Sequence, residues 1–162
     1  MQSKRWVGKR VWINLASIGF SSLFHVSKGE ALDGGEHGNL HQEQVETKNK
    51  WLEHMALKSD MCSERDGIKV RPIPGLPGVD YLTGEGGLGH LVSYVFGPVI
   101  EVLREAGLDD QSLQAAPYDW RLPPHQLEAR DLYFKRTMEQ IRTMAVYNQS
   151  PVVLLCHSLG VR

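Results

Sequence analysis

The sequence predicts an α/β protein, a parallel sheet whose strands are joined by crossover helices. Three observations carry this. Val152–Leu155 is an unbroken apolar run that leads straight into Cys156-His157-Ser158-Leu159-Gly160. Apolar residues recur at steps of three and four from Leu91 to Ala106. The same spacing returns at Leu127, Asp131, Phe134, Met138, Ile141 and Ala145. Strand candidates stand before, between and after these two helical patterns, and that order calls for crossover connections.

Each element has its own reason. Ile68, Val70 and Ile73 belong to a strand that ends at Pro74-Gly75. The loop that follows carries Gly78, Gly84, Gly86, Gly87 and Gly89. The first helix then shows one apolar stripe to the sheet. Pro98 falls inside its pattern, so the helix either kinks there or restarts with Pro98 in its first turn. Gly107 stops it. Leu113–Pro117 is the next strand candidate, and a long helix begins after Pro124 and ends at Asn148-Gln149-Ser150-Pro151. Val152–Leu155 has no polar interruption and reads as a strand buried on both faces.

The first 66 residues are the least regular. Val11–Leu15 is a short strand or a first helical turn, and 28–50 is polar and Gly-rich, a flexible insertion. Trp12 and Trp51 read as packed against the body of a domain, with a lipid-facing role as the alternative. Lys4, Arg5, Lys9 and Arg10 before Val11–Phe24 imitate a signal peptide, but Asn14, Ser17, Gly19, Ser21 and Ser22 dilute the run. No stretch is apolar for long enough to span a bilayer as a helix.

The 162 residues suffice for one core, with 41% apolar and 23% charged residues. A net charge of −1 provides no field to recruit nucleic acid. Two cysteines make no disulfide framework, and neither has metal-ligand spacing. His37 and His41 lie in a Gly-rich polar stretch and read as loop residues, so neither a metal nor a cofactor is expected.

The chemistry points to Ser158. Cys156-His157-Ser158-Leu159-Gly160 is the G-x-S-x-G nucleophile-elbow pattern with Cys at the first Gly. The turn from strand to helix is so sharp that the residues two before and two after the nucleophile nearly touch. Small side chains are therefore needed at Cys156 and Gly160. The turn should hold Ser158 in a strained conformation with its hydroxyl exposed. The alternative is a core strand followed by a serine helix cap.

Beyond these spacings the chain resembles the lecithin:cholesterol acyltransferase family. The resemblance rests on Ala115-Ala116-Pro117-Tyr118-Asp119-Trp120-Arg121-Leu122, on Ile73-Pro74-Gly75-Leu76 and on His157-Ser158-Leu159-Gly160. Leu127–Phe134 is similar to the plant phospholipid–sterol branch. Val11–Phe20 resembles an early segment near the family's lid, which argues against a signal peptide. The resemblance implies an α/β-hydrolase fold, with residues 67–162 as part of its core and 1–66 as a cap- or lid-proximal segment. It implies a lipid O-acyltransferase that moves a fatty acyl group from phospholipid to sterol or diacylglycerol at a membrane or lipoprotein surface. It also suggests an endomembrane or secreted setting.

On that reading Ser158 is the nucleophile, and the backbone N–H groups of Leu159 and Leu76 stabilise the oxyanion. A plain tight turn is the alternative at Pro74-Gly75. Asp119, Trp120 and Arg121 are expected to form a hydrogen-bonded corner near the site, with Arg121 bridging to a carboxylate. His157 is not the base, because the elbow directs adjacent side chains apart. In the fold implied, Cys62 and Cys156 lie on the order of 20 Å apart, too far for a disulfide. Cys156 should then be a buried free thiol. Triads on this fold run Ser, Asp, His, and neither an Asp nor a His follows Ser158 here. The chain is therefore expected to be part of a larger protein, truncated after the elbow and inactive alone. Two competing readings are a phospholipase or lipid esterase and a non-catalytic lipid-binding relic.

Overall fold

The computed structural model describes Arg10 and residues 45–46, 49–82 and 93–161. The readings at Val11–Leu15, Trp12, His37 and His41, most of the 28–50 insertion, and Leu91 and Val92 lie outside them. The chain divides into two units: Met1–Val70 with Leu82–Ser93, and Arg71–Tyr81 with Tyr94–Arg162.

In the first unit, residues 45–46 and 49–55 are helical. The C-terminal end of the expected insertion is therefore ordered. Its local support is a Lys50–Glu46 pair four residues apart. An antiparallel bridge between Leu57 and Glu64 closes a tight loop. Asp60 holds that loop by accepting from the amides of Cys62 (3.0 Å) and Ser63 (2.8 Å). The side-chain hydrogen bond from Ser63 and then these amides keep the Asp60 carboxyl below the usual carboxylate range.

The second unit contains three helices: α1 Gly97–Glu105, α2 Pro124–Asp131 and α3 Tyr133–Asn148. Pro98 stands in the first turn of α1, so that helix restarts there. Gly107 ends it with φ 96°, a conformation in which a Cβ is costly. The start of α1 is fixed from outside. Val95 and Gly97 donate backbone hydrogen bonds to the Asp80 carbonyl (2.7 and 3.2 Å), and Phe96 donates to Val79 (3.2 Å). A Cβ on Gly97 would stand 2.8 Å from the Tyr81 ring.

The long second helix expected from spacing is two helices. Leu132 adopts φ 53° and ψ 38°, left-handed, and ends α2. The Glu128 carboxylate then accepts from the amides of Phe134 (2.8 Å) and Lys135 (3.3 Å), capping the first turn of α3. Of the residues expected to face inward along α3, Phe134 and Met138 are exposed while Ile141 and Ala145 are half-buried; Tyr133, Thr137, Gln140 and Met144 are half-buried beside them. Gln149, left-handed at φ 48°, closes α3 at the expected place.

The sheet is not formed among the described residues. Residues 68–73, 113–117 and 152–157 have no regular secondary structure, and β-pairing is limited to the isolated bridges 57–64 and 81–94. The expectation that Val152–Leu155 is buried on both faces is corrected: Val153, Leu154 and Leu155 are 79%, 63% and 58% exposed. An apolar run is covered only when strands pair beside it and helices lie across it, and no described segment does either. The same cause exposes Cys156.

Candidate active site

Three short stretches of the second unit converge by traceable contacts. The first is Gly75-Leu76-Pro77-Gly78. Gly75 has φ 72°, and Leu76–Gly78 is one turn of 3-10 helix, held by bonds from Gly78 N–H to the Gly75 carbonyl (3.0 Å) and Val79 N–H to the Leu76 carbonyl (3.0 Å). Leu76, at the head of the turn, donates to no turn or loop carbonyl among the described residues. The turn is packed hard. A Cβ on Gly78 would lie 2.0 Å from the Ile73 carbonyl oxygen and 2.8 Å from the Pro117 ring. Residues just past it, Val79 and Asp80, hold the entry of α1.

The second stretch is Cys156–Gly160. Ser158 has φ 54°, the left-handed region that a non-glycine residue occupies at a cost of about 1–2 kcal/mol. Its side chain is exposed, and Ser158–Val161 forms a 3-10 turn with Gly160 N–H bonded to the His157 carbonyl at 3.0 Å. The strained, exposed serine expected from the pattern is present. His157 packs its ring edge-on against Phe96, with centroids 6.4 Å apart. Phe96, at the start of α1, thus touches His157 with its ring and Val79, just past the Leu76 turn, with its backbone amide. Leu159, whose amide is the second donor expected, is 43% exposed. The close approach expected at Gly160 is absent, since an added Cβ there meets nothing within 4 Å.

The third stretch is Ala116–Leu122. The Asp119 side chain is 4% exposed and accepts four hydrogen bonds. Oδ1 takes Arg121 Nε (2.8 Å) and Arg121 N–H (3.2 Å), and Oδ2 takes Arg121 Nη2 (2.8 Å) and Arg130 Nη2 (3.0 Å). Arg130 also pairs with Asp131 through Nε (2.8 Å) and Nη2 (2.6 Å). Burial pushes the Asp119 carboxyl up. Arg121, by hydrogen bond and charge, and then Arg130 reverse that, so it sits below the ordinary carboxylate range. The hydrogen bond to Asp131 heads the causes that raise Arg130. This corner pairs Asp119 with Arg121 and Arg130, and it leaves Trp120 43% exposed between two engaged neighbours. Tyr133 ties α3 to the corner by donating to the Ala116 carbonyl (3.0 Å) and packing on Tyr118 at 5.4 Å. Burial raises the Tyr133 phenol, opposed by a Thr137 hydrogen bond and aided by nearby Tyr118 and Cys156.

Sequence reasoning did not single out Arg130, Asp131 or Tyr133 for this cluster. Arg130 and Asp131 lie near the start of the one long helix expected, where helical spacing gives no reason to join them to Asp119, and the break at Leu132 has no glycine to announce it. Cys62 and Cys156 are both free thiols, as expected, but Cys156 is exposed rather than buried. Among the described residues no group of three or more His, Cys, Asp or Glu side chains is placed to hold a metal, and no helix is long and apolar enough to cross a membrane.

Ser158, left-handed and directly after a strand-sized apolar run, has the strained backbone that the nucleophile-elbow pattern calls for. Comparison with known proteins narrows the class. The lecithin:cholesterol acyltransferase family profile matches residues 39–162, and the chain belongs to that family. It is 33% identical over 114 residues to the phospholipid:diacylglycerol acyltransferase of Schizosaccharomyces pombe, covering 70% of this chain and 17% of that protein. It is 30% identical over 119 residues to the phospholipid–sterol O-acyltransferase of Arabidopsis thaliana (69% and 18%). Against the phosphatidylcholine-sterol acyltransferase of Mus musculus it is 30% identical over 117 residues (68% and 25%). The chain thus spans about a sixth to a quarter of the length of these relatives. No solved structure matches it significantly.

Proposed function

We propose that the chain supplies the nucleophile and oxyanion loop of an O-acyltransferase that takes a fatty acyl group from a phospholipid and passes it to a sterol or a diacylglycerol. Ser158 Oγ attacks the lipid ester carbonyl, and its proton passes to a general base. The tetrahedral oxyanion is held by the N–H groups of Leu76 and Leu159. Collapse expels the lysophospholipid and leaves an acyl-Ser158 ester, and the acceptor hydroxyl then attacks that ester and regenerates Ser158. The base is not among residues 159–162, and exposed His157, held against Phe96, is not assigned the role. The 162-residue chain is accordingly proposed to be inactive alone. Segments 68–73, 113–117 and 152–155 are proposed as parallel strands of an α/β-hydrolase sheet; their order between helices and the exposed apolar run support this.

The observation that carries the reading is the left-handed backbone of Ser158 within Cys156-His157-Ser158-Leu159-Gly160, in a chain of this family. The test grafts residues 39–162 into the matching stretch of the fission-yeast relative and follows a labelled phospholipid acyl chain by mass spectrometry. Transfer to sterol or diacylglycerol, abolished by Ser158→Ala, is expected. Transfer that survives Ser158→Ala, or release of free fatty acid alone, refutes it. Turnover by the ungrafted chain would refute its proposed inactivity.

A further inference from the structure

Phe96 stands where α1 begins, and its backbone is tied down on both sides. Its amide donates to the Val79 carbonyl (3.2 Å), and the flanking amides of Val95 and Gly97 both donate to the Asp80 carbonyl (2.7 and 3.2 Å). Gly97 lies so close to Tyr81 that a Cβ there would stand 2.8 Å from the ring. Val79 in turn donates to the Leu76 carbonyl (3.0 Å). The Leu76 turn and the start of α1 are therefore one backbone-bonded unit, and the half-buried Phe96 ring is a side arm on it.

The serine segment has the opposite character. Among the described residues, no hydrogen bond or ion pair joins 152–161 to another element. The Gly160 amide bonds inside the segment, to the His157 carbonyl (3.0 Å). Its one ring contact among those residues is His157 against Phe96, with planes 86° apart and centroids 6.4 Å apart, the geometry of an edge-to-face pair. His157 immediately precedes Ser158, so a rotation at His157 carries the serine hydroxyl with it.

We infer that Phe96 is a positioning residue for acyl transfer: through His157, its ring sets the serine turn against the unit that carries Leu76. This rests on the reading of Ser158 as nucleophile and Leu76 as oxyanion donor. Attack and oxyanion stabilisation need the two turns in one fixed relation, so loss of the ring acts on turnover and spares substrate affinity. A ring that only stabilised the fold would act on unfolding and leave kcat alone.

The experiment uses the graft of residues 39–162 in the fission-yeast relative. Acyl transfer from a labelled phospholipid gives kcat and KM well below the unfolding temperature. Phe96→Leu keeps apolar bulk and removes the ring. It should lower kcat about ten- to a hundredfold and leave KM within about twofold. His157→Leu, at an exposed position, should do the same with an unchanged urea midpoint. The double variant should lose no more than either single one, because both remove the same contact. Phe96→Tyr and His157→Phe each keep a ring pair and should recover most of the rate. Losses that multiply in the double variant overturn the inference. So does an unchanged kcat in His157→Leu, a rise in KM alone, or Phe96→Tyr as slow as Phe96→Leu. If Phe96→Leu fails to fold, His157→Leu and its recovery in His157→Phe decide by the same criteria. Transfer that requires Ser158 but ignores the Phe96 and His157 variants refutes the positioning role alone. Transfer indifferent to Ser158→Ala refutes the catalytic reading itself.

Discussion

Asp119→Asn is the sharpest perturbation of the Asp119–Arg121–Arg130 corner. Both carboxylate oxygens accept two donors each: Arg121 N–H and Nε on one, Arg121 Nη2 and Arg130 Nη2 on the other. An asparagine can offer its oxygen to only one side. Whichever way the amide turns, its NH2 faces two donors, so two bonds are lost. The Arg121 and Asp119 side chains are each 4% exposed, so solvent cannot compensate. Removing one member of a buried pair in this way costs about 3–5 kcal/mol. The loss should appear in urea unfolding followed by tryptophan fluorescence, with Trp120 adjacent as reporter. The pH dependence has a definite sign. Asp119 is a stronger acid folded than unfolded, so its contribution is complete above the unfolded carboxylate value of about 4 and is lost as pH falls through its lowered native value. Wild type should therefore lose stability on acidification below about pH 4 more steeply than Asp119→Asn does. A variant within about 1 kcal/mol of wild type at neutral pH, or parallel acid limbs for the two proteins, would refute the account of the corner.

Substitutions at three further positions probe the turns and the helix break. Gly78→Ala places a Cβ 2.0 Å from the Ile73 carbonyl and should cost about 1–3 kcal/mol in urea unfolding, whereas Gly160→Ala meets open space and should stay within about 1 kcal/mol of wild type. Equal effects at the two glycines would contradict the packing of the Leu76 turn. Glu128→Ala removes the cap on α3 and should cost about 1 kcal/mol, with a matching drop in helical circular dichroism; Glu128→Gln, which keeps an accepting oxygen, should recover part of it.

What could be read from the chain alone is whatever local chemistry decides. Pro98 and Gly107 bound α1 because ring closure and a positive φ act within one or two residues. The serine turn was legible for the same reason: five residues specify a backbone, and Ser158 adopts it. The Asp119–Arg121 contact spans two residues and was within reach of that reasoning. The rest depended on elements distant in sequence. Leu132 carries no glycine to mark its left-handed turn, so only the packed structure shows that α2 and α3 are separate, that Tyr133 instead of Phe134 faces inward, and that Arg130 reaches back to Asp119. Burial of Val152–Leu155 and Cys156 was inferred from their apolarity, but apolarity records only a tendency to be covered. Whether a run is covered depends on which segments pair beside it, and that is a property of the assembled neighbours. The tertiary structure alone brought Phe96 against both Val79, by its amide, and His157, by its ring, because no local pattern fixes a contact between residues so far apart along the chain.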